Sequence, residues 1–229
     1  MPQLRRRSLL RAGGFREPLS TGIILAGGRS SRLGQDKRRL RLWGAHGPTL
    51  LAHTVALAAA CCAEVLVVLN DPEAWRDLPA RLVPDAYPGA GPLGGLASGL
   101  AALTTDKALL LACDLPLLQP ALLRALLAEP LAGDALVPRQ HNAQIEPLLA
   151  VYHQACLPTL TACLTHDERR MGAAVRRLAA RYLDPDWWRR FDAEGRSFLN
   201  LNRPEDLAHA MQRSDGSVDP ESCTVQWTK

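Results

Sequence analysis

Hydrophobic runs and polar turns alternate along the first half of the chain. Four short apolar runs have the composition of buried parallel strands, and they span 23–26, 64–69, 82–84 and 107–113. Leucine- and alanine-rich stretches between and after these runs predict helices at 49–61, 93–103 and 120–127. Because strands that alternate with helices need right-handed crossovers, the pattern predicts an α/β domain with a mostly parallel sheet and helices on both faces. This is a three-layer α-β-α, Rossmann-like architecture.

The second half of the chain is less regular. Further apolar runs predict two strands and two helices, the strands at 135–138 and 146–151 and the helices at 154–164 and 171–180. Trp187 and Trp188 lie in a polar stretch that predicts a loop. The strand-like segment 198–202 leads into a predicted helix at 204–211, where Pro204 suits the first helical turn.

Length and composition favour a single domain. A chain of 229 residues with 47% hydrophobic content can bury one substantial core and does not require a second. We expect a flexible basic tail at 1–19, one domain at 20–212 and a flexible polar tail at 213–229. Much of the net charge of +4 comes from arginines in the first sixteen residues. Such a tract is usually a solvated tail, and without an RNA- or DNA-binding signature we expect no nucleic-acid partner.

The cysteine pattern and the hydropathy indicate a cytoplasmic enzyme without a membrane partner. The six cysteines include no CxxC pair and no Cys/His cluster at zinc spacing, and several lie in apolar segments where a reduced thiol packs as a small hydrophobe. No apolar run approaches the length of a membrane span. The segment 6–11 resembles a twin-arginine export signal, but Arg16 and Glu17 interrupt the apolar region that should follow it.

A glycine pair follows the first predicted strand and indicates a phosphate site. Gly27 and Gly28 let the backbone turn sharply and bring its N–H groups close to an anion. Arg29, Arg32 and Lys37 add positive charge within the next ten residues. The charge and the backbone donors together suit a triphosphate.

The known phosphate-binding loops do not match this segment. A Walker A loop requires Lys directly after the last glycine, whereas Gly34 is followed by Gln35 and Asp36. The segment also lacks the GxGxxG pattern of a dinucleotide loop. Residues 89–94 match GxGxxG literally but follow a Tyr-Pro turn instead of a strand, so we interpret them as a turn and helix start that faces a ligand.

Three polar side chains follow later strands of the predicted sheet. Asn70, Asp85 and Asp114 each stand just past the carboxyl end of a predicted strand. In an open parallel sheet these ends lie at the same edge as the first loop, and ligands bind along that edge. The sequence therefore predicts one site that combines the glycine loop with these three residues.

Six sequence blocks in order resemble a known family. The first is the pattern LAGGxSxRxGxDK at 25–37, and the others stand at 91–95, 113–116, 146–152, 168–170 and 198–207. Together they cover about residues 20 to 212 and resemble the nucleotidyltransferases, in particular the MobA-type molybdenum cofactor guanylyltransferases. The resemblance implies a fold of the nucleotide-diphospho-sugar transferase type. It also implies an enzyme that transfers GMP from GTP to the phosphate of molybdenum-molybdopterin and releases pyrophosphate, forming molybdopterin guanine dinucleotide.

The resemblance implies roles for the donor side of the site. Asp114 is expected to ligate Mg²⁺ and to be catalytic, since a hard cation that bridges phosphate oxygens takes carboxylate oxygen and water. Lys37 and Arg32 are expected to stabilise the charge that builds on the triphosphate. The remaining nucleotide-binding residues are expected to be the loop positions Leu25, Ala26, Gly27 and Gly28, through their backbone N–H groups, and the base and ribose contacts Asn70 and Asp85.

The acceptor side follows from the later blocks. The positions expected to face the pterin or to complete the metal site are Gly91, Gly94, Gly95, Asn200 and Asn202. Arg169 and Arg170 are candidates for a contact to the pterin phosphate, although adjacent side chains are not expected to point the same way.

Other functions stay open at this point. The same reaction type with CTP on the same cofactor, or with a sugar phosphate, is one alternative, and a nucleotide and cofactor carrier without catalysis is another. Gly27-Gly28 and the segment 91–95 favour guanine, because the cytidine branch typically has Ala-Ala-Gly at the loop. We expect a monomer that binds GTP and molybdopterin and contacts molybdoenzymes or their chaperones.

Overall fold

The computed structural model describes residues 20–27, 36–41 and 46–201. In this part of the chain seven strands form one sheet in the order β3-β2-β1-β4-β6-β5-β7. The strands are β1 (Thr21–Leu25), β2 (Glu64–Leu69), β3 (Arg81–Pro84), β4 (Lys107–Ala112), β5 (Ala135–Pro138), β6 (Leu149–His153) and β7 (Ala180–Leu183). Only β6 runs antiparallel to its neighbours, β4 and β5, among the described strands. The predicted mostly parallel sheet is confirmed.

Six α-helices accompany these strands within the described ranges, and the last of them follows β7. They are α1 (Leu50–Ala59), α2 (Gly91–Ala101), α3 (Pro120–Ala128), α4 (Leu157–Thr165), α5 (Met171–Val175) and α6 (Pro185–Trp188). Thr49 caps α1, since its side chain accepts a hydrogen bond from the Ala52 N–H. Pro120 stands in the first turn of α3, where the absence of an N–H group costs no hydrogen bond.

Two apolar layers cover the two faces of the sheet. Because successive side chains of a strand point to opposite faces, Ile24 of β1 packs with α1 and α3, while Ile23 packs with α2, α4 and α5. Leu109 and Leu110 of β4 divide in the same way. Burying both faces explains why these strands are almost continuously hydrophobic, and it confirms the three-layer α-β-α architecture.

Glycines let α2 approach β1 closely. A Cβ atom on Gly99 would stand 2.7 Å from Cγ2 of Ile23, and one on Gly95 would stand 3.0 Å from Cδ2 of Leu25. Both glycines lie on the sheet-facing side of the helix, four residues apart. The short distance between helix and strand places the first turn of α2 next to the carboxyl end of β1.

Several element predictions for the second half of the chain are corrected. The helix predicted at 171–180 ends at Val175, and Ala180 opens β7, which pairs in parallel with β5 and had no counterpart in the predictions. The strand predicted at 146–151 starts only at Leu149, because 139–145 fold back as a hairpin before it.

The segment at the end of the described chain also differs from the expectation. Residues 196–198 form a 3₁₀ turn, so the strand-like segment expected at 198–202 is wrong over its described part. The stretch around Trp187 and Trp188, expected to be a loop, is the short helix α6. Trp188 is buried against Phe198, with ring centroids 4.8 Å apart.

Some predictions fall on residues outside the described ranges. These are the two tails at 1–19 and 213–229 and the helix at 204–211. Within the part of the chain that the structure describes, no helix has the length and apolar character needed to cross a membrane.

Candidate active site

The carboxyl ends of β1, β2, β3 and β4 border a cavity of about 440 Å³. We call it the first cavity. Leu25 and Gly27 line it from the end of β1, and Asn70, Asp85 and Asp114 line it from just past the ends of β2, β3 and β4. The structure therefore brings together the strand-end residues that the sequence predicts for one site. It also adds Lys37, Gly91 and Gly95 to the lining.

Lys37 and Asp114 meet at this cavity. The Lys37 ammonium lies 3.6 Å from Oδ2 of Asp114, and both side chains are largely buried, with 16% and 27% exposure. Lys37 begins a 3₁₀ turn, Lys37–Arg39, that Asp36 caps by accepting the Arg38 N–H at 3.0 Å. A cation and a carboxylate side by side at a strand edge form a polar centre at which a phosphate and a metal ion can be held together.

Arg38, which the sequence did not indicate, fixes the position of Lys37. Its guanidinium is buried and donates to Asp36 at 2.8 and 2.7 Å, to Asp71 at 2.5 and 2.8 Å, and to the Ala26 carbonyl at 3.0 Å. These partners belong to the segment before the 3₁₀ turn, the end of β2 and the end of β1. One side chain thus joins three backbone segments around the cavity.

The charges of this cluster stabilise one another. Burial disfavours the charged form of Arg38, but its hydrogen bonds to Asp36 and Asp71 outweigh that effect and raise its pKa. The hydrogen bond from Arg38 lowers the pKa of Asp71 against a smaller opposing effect of burial. Both effects favour the charged forms of Arg38 and Asp71.

Asn70 faces the cavity with a defined orientation. Its amide nitrogen donates to the Gly27 carbonyl at 2.9 Å. A Cβ atom on residue 27 would stand 3.2 Å from that nitrogen, so glycine leaves room for the contact. Because the amide nitrogen is engaged, the side-chain oxygen of Asn70 is the group available to accept a hydrogen bond from a ligand.

Asp85 also lines this cavity, just past the end of β3, and hydrogen bonds orient its carboxylate. Its Oδ1 accepts the Tyr87 N–H at 2.9 Å, and the Ser98 hydroxyl of α2 lies 2.9 Å from the same oxygen. Ser98 also accepts the Ala86 N–H, which ties the turn after β3 to the helix. Oδ2 points toward Gly27, 4.0 Å from the place of a Cβ there. Ser98 carried no signal in the sequence, since a serine inside a helix has many uses.

The structure corrects the predicted role of Ala26. Its N–H donates to the Val68 carbonyl at 2.9 Å and its carbonyl accepts from Arg38, so both backbone groups are engaged by the protein. Ala26 is buried and does not line the cavity. Leu25 does line the cavity, but its carbonyl accepts the Cys113 N–H. Gly27 is the described residue of this loop whose backbone borders the cavity.

The start of α2 forms the rim. Gly89 and Gly91 have φ of +81° and +69°, a backbone conformation that residues with a Cβ rarely adopt. Gly91 and Gly95 line the first cavity as expected of a ligand-facing turn. Gly94 does not: a Cβ there would stand 2.9 Å from Tyr87 and Ala90 atoms, so its small size serves packing, and its expected role on the acceptor side stays a prediction.

A second cavity, of about 480 Å³, adjoins the first. Pro92 and Leu148 line both cavities, so the two share a wall. The remaining lining residues come from the turn after β4, the hairpin before β6, the start of α5 and the end of the described chain: Leu115, Gln144, Ile145, Glu146, Pro147, Arg169, Arg170, Met171, Gly172 and Asn200.

Asn200 reaches the second cavity because its segment is fastened beside Asp114. The Leu201 N–H donates to the Asp114 carbonyl at 2.9 Å. Arg169 and Arg170 both line this cavity, in contrast to the expectation that adjacent side chains point apart. Arg169 pairs with Asp167 at 2.9 Å and Arg170 with Glu168 at 3.2 Å. The residues expected on the acceptor side are thus divided between the two cavities.

The described residues contain no group of three or more His, Cys, Asp and Glu side chains that could hold a metal ion. Asp114 is the carboxylate that lines the first cavity next to Lys37. One carboxylate together with phosphate oxygens and water is a common coordination sphere for Mg²⁺, so the side chains present fit such an ion if a nucleotide supplies the other ligands.

Burial and then Asp114 raise the pKa of the neighbouring Cys113 to about 12, which keeps its thiol protonated and unsuited to act as a nucleophile.

Three predicted site residues, Gly28, Arg32 and Asn202, lie outside the described ranges. Their expected contacts to the triphosphate and to the acceptor remain predictions.

Comparisons with known proteins agree with this geometry. The model of the MobA-like NTP transferase domain matches residues 22–184. A probable molybdenum cofactor guanylyltransferase from Chloroflexus aggregans is 53% identical over 193 residues, which are 82% of this chain and 92% of the relative. A molybdenum cofactor guanylyltransferase from Syntrophotalea carbinolica is 31% identical, covering 86% and 92%. The crystal structure of molybdopterin-guanine dinucleotide biosynthesis protein A from Archaeoglobus fulgidus superposes with a TM-score of 0.73 at 26% identity, covering 84% and 97%.

Proposed function

The chain belongs to the MobA-like NTP transferase family, and we propose that it transfers GMP from GTP to the phosphate of molybdenum-molybdopterin. The products are molybdopterin guanine dinucleotide and pyrophosphate. The observation that carries the proposal is the Lys37–Asp114 pair, which lines a nucleotide-sized cavity, while a second cavity begins at the shared wall formed by Pro92 and Leu148. Two adjoining cavities with one polar centre suit two substrates that react with each other.

In this reaction an oxygen of the acceptor phosphate attacks the α-phosphorus of GTP. The new P–O bond forms as the bond from the α-phosphorus to the oxygen that bridges to the β-phosphate breaks, and that oxygen leaves with pyrophosphate. Such a displacement needs positioning and charge neutralisation more than a covalent nucleophile. Lys37 supplies a fixed positive charge for the triphosphate, and the buried Arg38 cluster keeps it in place.

Asp114 would hold a divalent cation, with Mg²⁺ as the natural choice beside phosphate oxygens. The ion would neutralise part of the charge on the phosphates. In this chain Asp114 is kept at the cavity by its place after β4 and by the hydrogen bond from Leu201 to its carbonyl. Asp114 therefore lines the first cavity, beside the segment that carries Asn200 to the second.

We assign guanine selection to Asn70 and Asp85 in the first cavity. Guanine offers N–H donors at N1 and at its 2-amino group, so its pocket needs acceptors. The Asn70 side-chain oxygen and Asp85 Oδ2 supply two, since their other polar atoms are engaged by Gly27 and by Tyr87 with Ser98. Cytosine presents a different pattern of donors and acceptors on its pairing edge, so we expect CTP to bind more weakly.

The proposal is tested by the nucleotide and metal requirements of the reaction. Purified protein, molybdenum-molybdopterin and Mg²⁺ are combined with GTP, CTP, ATP or UTP, and dinucleotide is measured. GTP is expected to be the preferred donor, and Asp114→Asn is expected to lower kcat by about 10²-fold or more, as for the loss of one strong electrostatic contact in a transition state.

Asp77→Asn is the matched control, because Asp77 is an exposed aspartate that lines neither cavity. A preference for CTP would indicate that the protein is a cytidylyltransferase and would overturn the assignment of GTP as the donor. Unchanged turnover by Asp114→Asn would overturn the metal assignment, and GTP binding without any dinucleotide would indicate a carrier.

A further inference from the structure

Glu146 is a carboxylate that neither the fold nor the reaction described above uses. It lies at the base of the hairpin before β6 and lines the second cavity, with only 9% of the residue exposed. Because β5 runs parallel to β1 and β4, this hairpin stands at the same sheet edge as Asp114. A buried acid at the substrate edge of the sheet needs a physical reason.

The protein fixes this carboxylate on one side only. The Glu146 N–H donates to the Pro138 carbonyl at 2.8 Å, and the Gln140 amide nitrogen donates to Oε1 of Glu146. In the described part of the chain the second oxygen, Oε2, accepts no hydrogen bond, and no cationic side chain pairs with the carboxylate. Oε2 is not among the buried atoms that lack a partner, so it is accessible to a ligand. The group is therefore oriented, and Oε2 together with the second lone pair of Oε1 is left to accept hydrogen bonds from a ligand.

The surroundings of Glu146 favour a ligand that donates hydrogen bonds to its carboxylate. Burial raises the pKa of Glu146, while the hydrogen bond from Gln140 opposes that rise. The two arginines of the same cavity are already paired, Arg169 with Asp167 and Arg170 with Glu168. A buried carboxylate with one neutral donor is costly unless a bound molecule brings N–H groups to it.

A pterin carries such a group of donors. Its 2-amino group and the N3–H stand side by side on one edge and match a carboxylate, as a guanidinium fork does. Guanine has the same edge, but the residues assigned to guanine lie in the first cavity. The second cavity begins beside Asp114, where the acceptor phosphate must arrive, and Glu146 lines its wall.

We propose that Glu146 is a specificity-determining residue that accepts hydrogen bonds from the 2-amino and N3–H edge of the pterin in the second cavity. The inference rests on the proposed function, because that function supplies a pterin as the acceptor. Gln140 acts through Glu146, since its amide holds one carboxylate oxygen and leaves the other for the ligand.

The test measures discrimination between two simple probes, pterin and lumazine, which has a carbonyl in place of the 2-amino group. We expect the wild-type protein to bind pterin at least about tenfold more tightly, the effect of one hydrogen bond to a charged group. Glu146→Gln is expected to lose most of that preference. Glu73→Gln is the matched control, because Glu73 is an exposed glutamate in a surface ion pair. Equal binding of both probes by the wild-type protein would overturn the proposal without any variant.

Turnover separates this inference from the proposed function. Glu146→Gln is expected to raise the KM for the molybdopterin acceptor about tenfold, while the KM for GTP and the preference for GTP over ITP stay at wild-type values. Loss of the preference for GTP over ITP would instead assign Glu146 to guanine and overturn the proposal. If dinucleotide never forms but pterin is still preferred through Glu146, the proposed function fails and the inference stands.

Discussion

At the scale of single residues, the site depends on a few charges whose positions the protein fixes at some cost. Arg38 is the centre of this arrangement, because its guanidinium joins the ends of β1 and β2 to the segment that carries Lys37. Lysine in its place keeps the charge but cannot donate to two carboxylates and a carbonyl at once. The geometry of Lys37 therefore depends on the neighbouring Arg38, which also lines the first cavity.

We predict that Arg38→Lys lowers the free energy of unfolding by about 2 kcal/mol, from the loss of several charge-assisted hydrogen bonds. The estimate stays below the value for a fully buried pair, since the Asp36 and Asp71 side chains keep 28% and 42% exposure. Chemical denaturation measures the change. Arg39→Lys is the control, because Arg39 is 57% exposed and its replacement should cost less than about 0.5 kcal/mol. Equal stability of the two variants would refute the role of the cluster.

Glu146 makes a prediction about pH. Its pKa is raised in the folded protein, so between the ordinary glutamate pKa and the raised value the folded state binds more protons than the unfolded chain. The free energy of unfolding therefore falls as pH rises through that interval. Glu146→Gln, which does not titrate, should gain stability relative to wild type over the same interval. Thermal melts from about pH 4 to about pH 8 measure the difference, and parallel profiles would show that the carboxylate bears no burial cost.

These two residues also show a limit of sequence reasoning. Asp114, Asn70 and Asp85 were predictable, because each follows a recognisable strand and parallel strands end at one edge. The burial of Arg38 and Glu146 was not, since a charged residue is normally exposed. Their burial results from contacts with distant segments, such as Asp71 for Arg38, which no local pattern encodes.

At the scale of elements, α2 determines how close the glycine-rich turn at its start comes to β1. We predict that Gly99→Ala lowers stability by about 1–3 kcal/mol, because its Cβ would meet Ile23 at 2.7 Å, which outweighs the better helix propensity of alanine. Gly172→Ala in α5 is the matched control: its nearest neighbour would be 3.6 Å away, so we expect no loss and up to about 1 kcal/mol of gain. Denaturation midpoints decide the matter, and equal effects would mean that α2 can shift without penalty.

The bounds of the strands were predicted best where the apolar runs in the sequence were uninterrupted. β2 and β5 have the predicted bounds, and the bounds of β1 and β4 differ from the predicted ones by one or two residues. Burial of both faces of the sheet makes these strands continuously apolar and therefore easy to recognise. β7 was not predicted, because its sequence, ARYL, is short and half polar. This composition is typical of an edge strand, and β7 lies at one edge of the described sheet. The helix predicted over 171–180 was too long. The chain leaves the helix after Val175 and enters β7 at Ala180, and no glycine or proline between them marks the change.

At the scale of the whole molecule, the fold places two cavities at one edge of the sheet. The first lies at the ends of the parallel strands and the second beside the hairpin before the antiparallel strand β6. Asp114 stands between them, because its side chain lines the first cavity and its carbonyl holds the segment of Asn200. The sequence resemblance implied both substrates, but the presence of two cavities at this edge depends on the three-dimensional arrangement of β6 and α5.

The central claim is that donor and acceptor react directly where these two cavities meet. The most direct measurement is the rate of pyrophosphate release from GTP and Mg²⁺, with and without molybdenum-molybdopterin. We predict negligible release with GTP alone and, when the acceptor is added, one pyrophosphate for each molybdopterin guanine dinucleotide formed. Release of pyrophosphate at the same rate without the acceptor, or dinucleotide formation that does not consume GTP, would contradict the account.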